Sequence, residues 1–327
     1  MATQTPPALD YERKHFNPDA PPKGALLPST PKYDYREPII LAVNVALATK
    51  RPLLVAGPPG SGKTTLAQHI AHLNGWRYIE KVITSKTQVD DLIEEYDTLD
   101  RLNDATIPGR ELMPDAAYVN PGVLWWAFDQ QTAKVRGVDV AGLTAEQREL
   151  FREAPDPSLI TGGDDVVLLL DEIDKADPDV PNDILEPLDR RSFTPRKGKP
   201  IAAKGEILMV ITTNGERDLP PAFVRRCVLL TLGELSEDRL LAIARLHFGP
   251  ETKGSQLYER AARLTMRLAT HAQHNSTREP STAEFIDMIR ACRGLEATGE
   301  TAEHIAALTL AKDGALLDVL FAKEPPA

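Results

Sequence analysis

Eight consecutive residues, Gly57-Pro58-Pro59-Gly60-Ser61-Gly62-Lys63-Thr64, have the make-up of a loop that wraps phosphate. Glycines let successive backbone N–H groups face one concavity, and a helix starting at the lysine adds its positive end. Lys63 would then reach the β- and γ-phosphates, and the Thr64 hydroxyl would ligate Mg2+. The plainer alternative is a glycine-rich turn with a surface lysine. Context argues against it, because PLLVAG (Pro52 to Gly57) reads as a short buried strand and Leu66 to Leu73 as a helix.

Two further runs carry polar groups at the end of an apolar strand. VVLLLD (Val166 to Asp171) is apolar enough to be buried on both faces, and Asp171-Glu172 follow at its carboxyl end. Asp171 would orient Mg2+ and its waters, and Glu172 would polarise an attacking water. Asp174 and Asp177 are expected to face solvent or cap the next helix, since DPDVP is a helix-start pattern. EILMVITTN (Glu206 to Asn214) ends in Asn214, whose amide could touch the γ-phosphate or hold the water; the plainer reading is a turn at Asn214-Gly215. LPPAFVRRC then delivers Arg225 and Arg226. Adjacent arginines usually form a solvated face, but an arginine supplied to a neighbouring subunit's phosphates accelerates transfer by roughly 10³- to 10⁵-fold.

These groups need a scaffold. Apolar runs at 52–57, 76–84, 166–171, 206–214 and 227–232 alternate with helical patterns such as Pro38 to Thr49, which predicts parallel strands with right-handed crossovers. After Gly233 the pattern is helical throughout: Ser236 to Phe248, Gln256 to His271, Ser281 to Cys292 and Ala302 to Phe321. Eight of the 27 prolines fall in the first 38 residues, which reads as an extended arm, with the fold starting near Tyr35. The polar stretch from Asp129 to Gly163 reads as an insertion with a helix at Thr144 to Phe151. Trp125 and Trp126 read as core residues of an amphipathic helix.

Composition removes several classes. The 327 residues carry a formal charge of −10, so an acidic surface disfavours nucleic acid and anionic membrane as partners. Two cysteines with no CxxC exclude a disulfide framework or structural zinc. No apolar run approaches the ~18 residues of a membrane span, and the N-terminus lacks a signal-peptide core, so a cytoplasmic protein is expected. The charge is uneven: Arg190 to Arg226 holds nine basic and three acidic residues, and Asp90 to Asp115 holds nine acidic and two basic.

GPPGSGKT, LLLDEIDKADPDVPNDILEPLD, ITTNGERDLPPAFVRRC and PSTAEFIDMIRAC, in this order, resemble the AAA+ ATPases of the MoxR-type and dynein-related subfamily. The resemblance covers about residues 35 to 325. It implies a P-loop NTPase core with a five-stranded parallel sheet over residues 35–233, although the insertion at 129–163 within that span and the arm before it fall outside the resemblance. A smaller all-helical lid at 234–327 follows, and the arm at 1–34 precedes. It implies ATP and Mg2+ as cofactors, a ring that is commonly hexameric, and hydrolysis that remodels a client protein, often one with a von Willebrand factor A domain. By position, Gly57 to Thr64 with Thr65 is Walker A, Asp171 and Glu172 are Walker B, and Asn214 is sensor 1. Arg225 or Arg226 is the arginine finger. Arg190 and Arg191 fall where such proteins face the adjacent nucleotide, Ile39 and Ile40 fall in the adenine-contacting stretch, and the segment from Asp91 through YVNPGVLWWAF falls in the helix-2 insert. One position departs: where relatives carry a sensor 2 arginine the chain has Ala283, and Arg278 just upstream is the candidate substitute. Two rival functions remain: an ATP-switched scaffold with weak hydrolysis, favoured by Ala283, and a nucleic-acid-directed motor, disfavoured by the net charge.

Overall fold

The computed structural model describes residues 11–23, 30, 32–196, 198–233, 235–251, 256–275 and 278–311. The chain forms two compact units. One takes the chain up to Thr30, Tyr35–Ala56 and Ala67–Leu230; the other takes 31–34, Gly57–Leu66 and the chain from Thr231.

The first unit is built on β1 (Leu53–Ala56), β2 (Arg77–Val82), β3 (Val166–Asp171), β4 (Ile207–Thr213) and β5 (Val228–Thr231). Their order in the sheet is β2-β3-β4-β1-β5. The pairs β2 with β3, β3 with β4 and β4 with β1 are all parallel, in a register that sets Val82 beside Asp171, Leu170 beside Ile211 and Ala56 beside Thr213. Val166 through Leu170 are fully buried, as a strand covered on both faces requires. Because neighbouring strands run the same way, the carboxyl ends of β3, β4 and β1 share one edge, the edge at which parallel sheets bind ligands.

Helix α1 (Glu37–Thr49) starts with Pro38 in its first turn, where the missing N–H costs nothing, and stops at Lys50 in the left-handed conformation. Trp125, Trp126 and Phe128 join Leu54, Leu168 and Ile211 in one apolar cluster, so the tryptophans are core residues as expected. The insertion is ordered too. Asp129, nearly buried, caps the turn at Gln131 and Thr132 and pairs with Lys204 at 3.0 Å. The helix at Ala145–Leu150 has a capping box from Thr144 and Gln147. In the acidic stretch, Glu94–Tyr96 pairs antiparallel with Val119–Pro121, and the helix Thr98–Thr106 buries none of its residues.

Packing reaches further upstream than the proline content suggested. Phe16 is 1% exposed, its ring 5.2 Å from that of Tyr35. The side chain of Asn44 on α1 accepts the N–H groups of His15 and Phe16 and donates to the Phe16 carbonyl. An extended segment without regular hydrogen bonds is thus satisfied by one amide. Residues 1–10 and 24–29 of the expected arm lie outside the described residues.

In the second unit α2 (Lys63–Asn74) begins, and helices α3 (Glu237–Phe248), α4 (Leu257–Asn275), α5 (Thr282–Gly294) and α6 (Gly299–Thr309) bury Leu240, Tyr258, Leu268, Phe285, Ile289 and Ile305 in a core of their own. The expected extension of the last helix to Phe321 lies outside the described residues. Among the described residues no helix is long and apolar enough to cross a membrane.

Candidate functional site

The loop from Gly57 to Gly62 runs from the end of β1 to the start of α2 and needs its glycines for two separate reasons. Gly60 and Gly62 have φ of 77° and 94°, a region open to glycine at little cost. Gly57 has no room for a side chain, since a Cβ there would lie 2.3 Å from the Leu232 carbonyl oxygen. Lys63 folds back over the loop: its Nζ donates to the carbonyls of Gly57 at 2.7 Å and Pro58 at 3.0 Å. The buried Ser61 hydroxyl has no hydrogen-bond partner among the described residues, which suits a loop whose donors serve a phosphate.

Position 283 meets this loop directly. The Ala283 N–H donates to the Gly60 carbonyl at 3.2 Å, and a Cβ on Gly60 would come within 3.3 Å of the Ala283 methyl. Ser281 caps α5 with Glu284 at the third helical position, and Glu284 also holds Arg278 at 3.0 Å. Arg278 is therefore engaged with its own helix start.

At the carboxyl edge of the sheet, Asp171 and Glu172 follow β3. Glu172 is in the left-handed conformation, with φ 62° and ψ 48°, unusual for a residue with a side chain. Its carboxylate accepts from Lys175 Nζ at 2.7 Å and from Asn214 Nδ2 at 3.2 Å. The fold thus joins two side chains that the sequence separates by 42 positions. Glu172 also makes Lys175 more basic: the hydrogen bond and the negative charge raise the lysine pKa.

Asp174 departs from expectation. It neither faces solvent nor caps the next helix; it is 3% exposed and accepts the backbone N–H groups of Asn214 at 3.2 Å and Glu216 at 2.9 Å. A turn after β4 leaves those donors without strand partners, and the buried carboxylate supplies them. Asp177 stays at the surface and receives the Asp179 N–H, as a helix-start residue should. Thr212, fully buried, donates its hydroxyl to Asp171 and accepts the Glu172 N–H at 2.9 Å. Sequence reasoning assigned Thr212 and Lys175 no role and placed Asp174 at the surface. A threonine in ILMVITT reads as an ordinary β-branched strand residue, and a charged residue following the acidic pair in DEIDK reads as solvated.

The arginines divide into tethered and untethered. Arg191 donates to the Gly205 carbonyl at 2.7 Å, and Arg190 pairs with Glu186 one turn earlier on an exposed face. Arg225 and Arg226 are exposed at the end of the turn Pro221–Val224, and their side chains make no hydrogen bond or ion pair among the described residues. Ile39 and Ile40 lie in α1 at 2% and 3% exposure, packed as helix residues.

Oxygen donors of the Asp171 and Thr64 type suit Mg2+, which takes few protein ligands and keeps several waters. No curated protein matches the chain. A family model does: that of the AAA domain, dynein-related subfamily, matches residues 52–227, from the first residue before β1 through the arginine pair. The match spans more than half of the sequence and contains the glycine loop, both acids and Asn214, and the chain belongs to the dynein-related subfamily of AAA domains.

Proposed function

We propose that the protein is a Mg2+-dependent ATPase of the AAA+ class that works as an oligomeric ring and remodels or activates a partner protein in the manner of MoxR-type chaperones. The observation that carries this is the Glu172–Asn214 pair at 3.2 Å beside Asp171. A carboxylate held by an amide at a strand end, next to a second carboxylate, supports water activation better than phosphoryl transfer to a bound acceptor. In this reading residues 35–233 bind nucleotide, 234–327 form the lid and 1–34 the arm.

Phosphoryl transfer to water needs little covalent help from protein, so the work is positioning and charge neutralisation. The N–H groups of Gly57 to Thr65 and the Lys63 ammonium bind the β- and γ-phosphates. The Thr64 hydroxyl and the Asp171 carboxylate would hold Mg2+, which would neutralise phosphate charge. Glu172 accepts a proton from the attacking water, and Asn214 keeps its carboxylate oriented. Arg225 or Arg226, exposed and without a side-chain hydrogen bond or ion pair among the described residues, reaches a neighbour's γ-phosphate. The client fits a von Willebrand factor A domain by family resemblance. The basic stretch at 190–226 and the acidic stretch at 90–115 would favour head-to-tail subunit contacts if they lay on opposite flanks, but Arg196 pairs with Asp90 and donates its backbone N–H to Glu94 at 2.7 Å, so the two stretches meet within one subunit at this point. The deciding experiment is phosphate release by the purified chain with ATP and Mg2+, alongside the Glu172→Gln variant. Turnover by the wild type that the variant lacks supports the reading; no turnover by either removes it.

One observation favours a second reading. Ala283 meets Gly60 through its backbone and has no charge to offer a phosphate, and Arg278 is paired with Glu284. A chain in which ATP drives assembly and hydrolysis is slow would look the same. Ring formation on ATP with negligible phosphate release would select that scaffold.

A further inference from the structure

The carboxyl ends of the neighbouring strands β3 and β4, with the turns that follow them, are joined by hydrogen bonds around the residues assigned to the chemistry. From β4, the Thr212 hydroxyl donates to Asp171 Oδ1 and accepts the Glu172 N–H at 2.9 Å. From the turn after β3, Asp174 Oδ2 accepts the Asn214 N–H at 3.2 Å and the Glu216 N–H at 2.9 Å. Asn214 in turn reaches back to Glu172. These hydrogen bonds engage all three side chains assigned to the chemistry at this edge, and the backbone from Asp171 to Asp174 and from Thr212 to Asn214 completes the circuit.

Strand alignment does not require these bonds. The ladder from Val166–Ile207 to Leu170–Ile211 already sets the register before Thr212 is reached. Valine occupies nearly the volume of threonine and is at home in a buried strand, so the hydroxyl is the unusual choice at a position with no exposure. Its two bonds do two things at once. One fixes the rotamer of Asp171, and the other pins the left-handed backbone from which Glu172 projects, a conformation that a residue with a Cβ adopts at a cost. Asp174 fixes the backbone that carries the Asn214 amide.

We propose that Thr212 and Asp174 are positioning residues of the ATPase site: Thr212 sets the metal-holding carboxylate and the Glu172 backbone, and Asp174 sets Asn214 against Glu172. The inference rests on the ATPase reading above, and neither residue touches nucleotide in it.

The test uses the full chain and the variants Thr212→Val, Thr212→Ser and Asp174→Asn. Four quantities are read: kcat and KM for ATP, the Mg2+ concentration at half-maximal rate, ATP affinity with and without Mg2+, and the urea unfolding midpoint. Misplacement of a catalytic group by a fraction of an ångström to an ångström costs about 10- to 100-fold in rate, and Thr212→Val is expected to lose kcat in that range. It should also need several-fold more Mg2+ and lose the part of ATP affinity that Mg2+ confers, while affinity without Mg2+ stays as in the wild type. Thr212→Ser, which keeps the hydroxyl, should recover most of each loss. Asp174→Asn should lower kcat with Mg2+ dependence unchanged, separating the two braces.

Thr212→Val with wild-type kcat and Mg2+ dependence overturns the proposal, as does a serine variant as impaired as the valine. A valine variant that lowers kcat only in proportion to its folded fraction, with the Mg2+ half-point unmoved, also overturns it, because that half-point is read from folded molecules alone. Failure of the ATPase reading looks different: the wild type itself then shows no turnover. In that case the Mg2+-dependent part of ATP affinity still decides the role of Thr212, and a wild type that binds no nucleotide removes both proposals.

Discussion

Asn214 Nδ2 lies 3.2 Å from Glu172 Oε1, and Lys175 Nζ lies 2.7 Å from Glu172 Oε2. Both oxygens of the proposed base are therefore engaged by donors from different elements. The carboxylate is oriented before nucleotide arrives, which is the form of preorganisation that lowers a barrier without reorganisation during the reaction.

Glu172→Gln keeps the oxygen that accepts from Asn214 and removes the base. It should bind ATP as the wild type does and lose about 10²- to 10⁴-fold in turnover. Lys63→Ala should lose ATP binding instead. Phosphate release and equilibrium binding of a fluorescent ATP analogue check both, and near-normal phosphate release by Glu172→Gln would sink the base assignment.

Arg225 and Arg226 are exposed, so Arg225→Ala/Arg226→Ala should leave stability within about 0.5 kcal/mol of wild type. Turnover should fall by roughly 10³-fold or more if either acts as the finger. Mixing this double variant with Lys63→Ala should then restore part of the activity, because a hybrid interface pairs an intact loop with an intact arginine pair. Recovery in no mixture, with subunit exchange shown by a labelled chain, would reject the trans role.

Burial, and secondarily the charge of His72, lowers the His69 pKa to about 4 from an ordinary 6.5. Between those values the unfolded chain binds a proton at this position that the folded chain does not, so stability falls as pH falls through that window. His72 and His247 are also shifted down by burial and add to the slope. Tm measured from pH 7.5 to 5 should drop, and His69→Gln should drop less. Parallel profiles for the two proteins would reject His69 as a contributor.

Phe16→Ala should destabilise the chain by about 3–5 kcal/mol, as for other buried aromatics. Asn44→Ala leaves the His15 and Phe16 N–H groups without their acceptor, at a cost of about 1–3 kcal/mol per group left buried. Urea unfolding of both variants reads this directly. A Phe16→Ala midpoint equal to wild type would mean that the segment does not dock on α1 in solution.

The parts of this protein that were legible in its sequence are those governed by local chemistry. LLVA, VVLLLD and ILMVITT have the apolar content of strands covered on both faces, and each forms a strand of the central sheet. GPPGSGKT could be read because its backbone conformations at Gly60 and Gly62 admit few other residues. The helices after Gly233 follow from apolar spacing and from caps such as Ser281 with Glu284.

Other features depend on partners far along the chain. Asp174 belongs to a charged turn by composition, yet donors at Asn214 and Glu216 draw it into the interior. Phe16 lies in a proline-rich run with no periodicity, and it is buried because one amide, Asn44, satisfies its backbone. Thr212 looks like any strand threonine until β3 places Asp171 beside it. Local sequence determines which conformations and which chemistry are available at each position. Burial and hydrogen-bond partnership are set by whatever the parallel sheet brings alongside, about 40 residues away in the chain, and only the tertiary structure decides that.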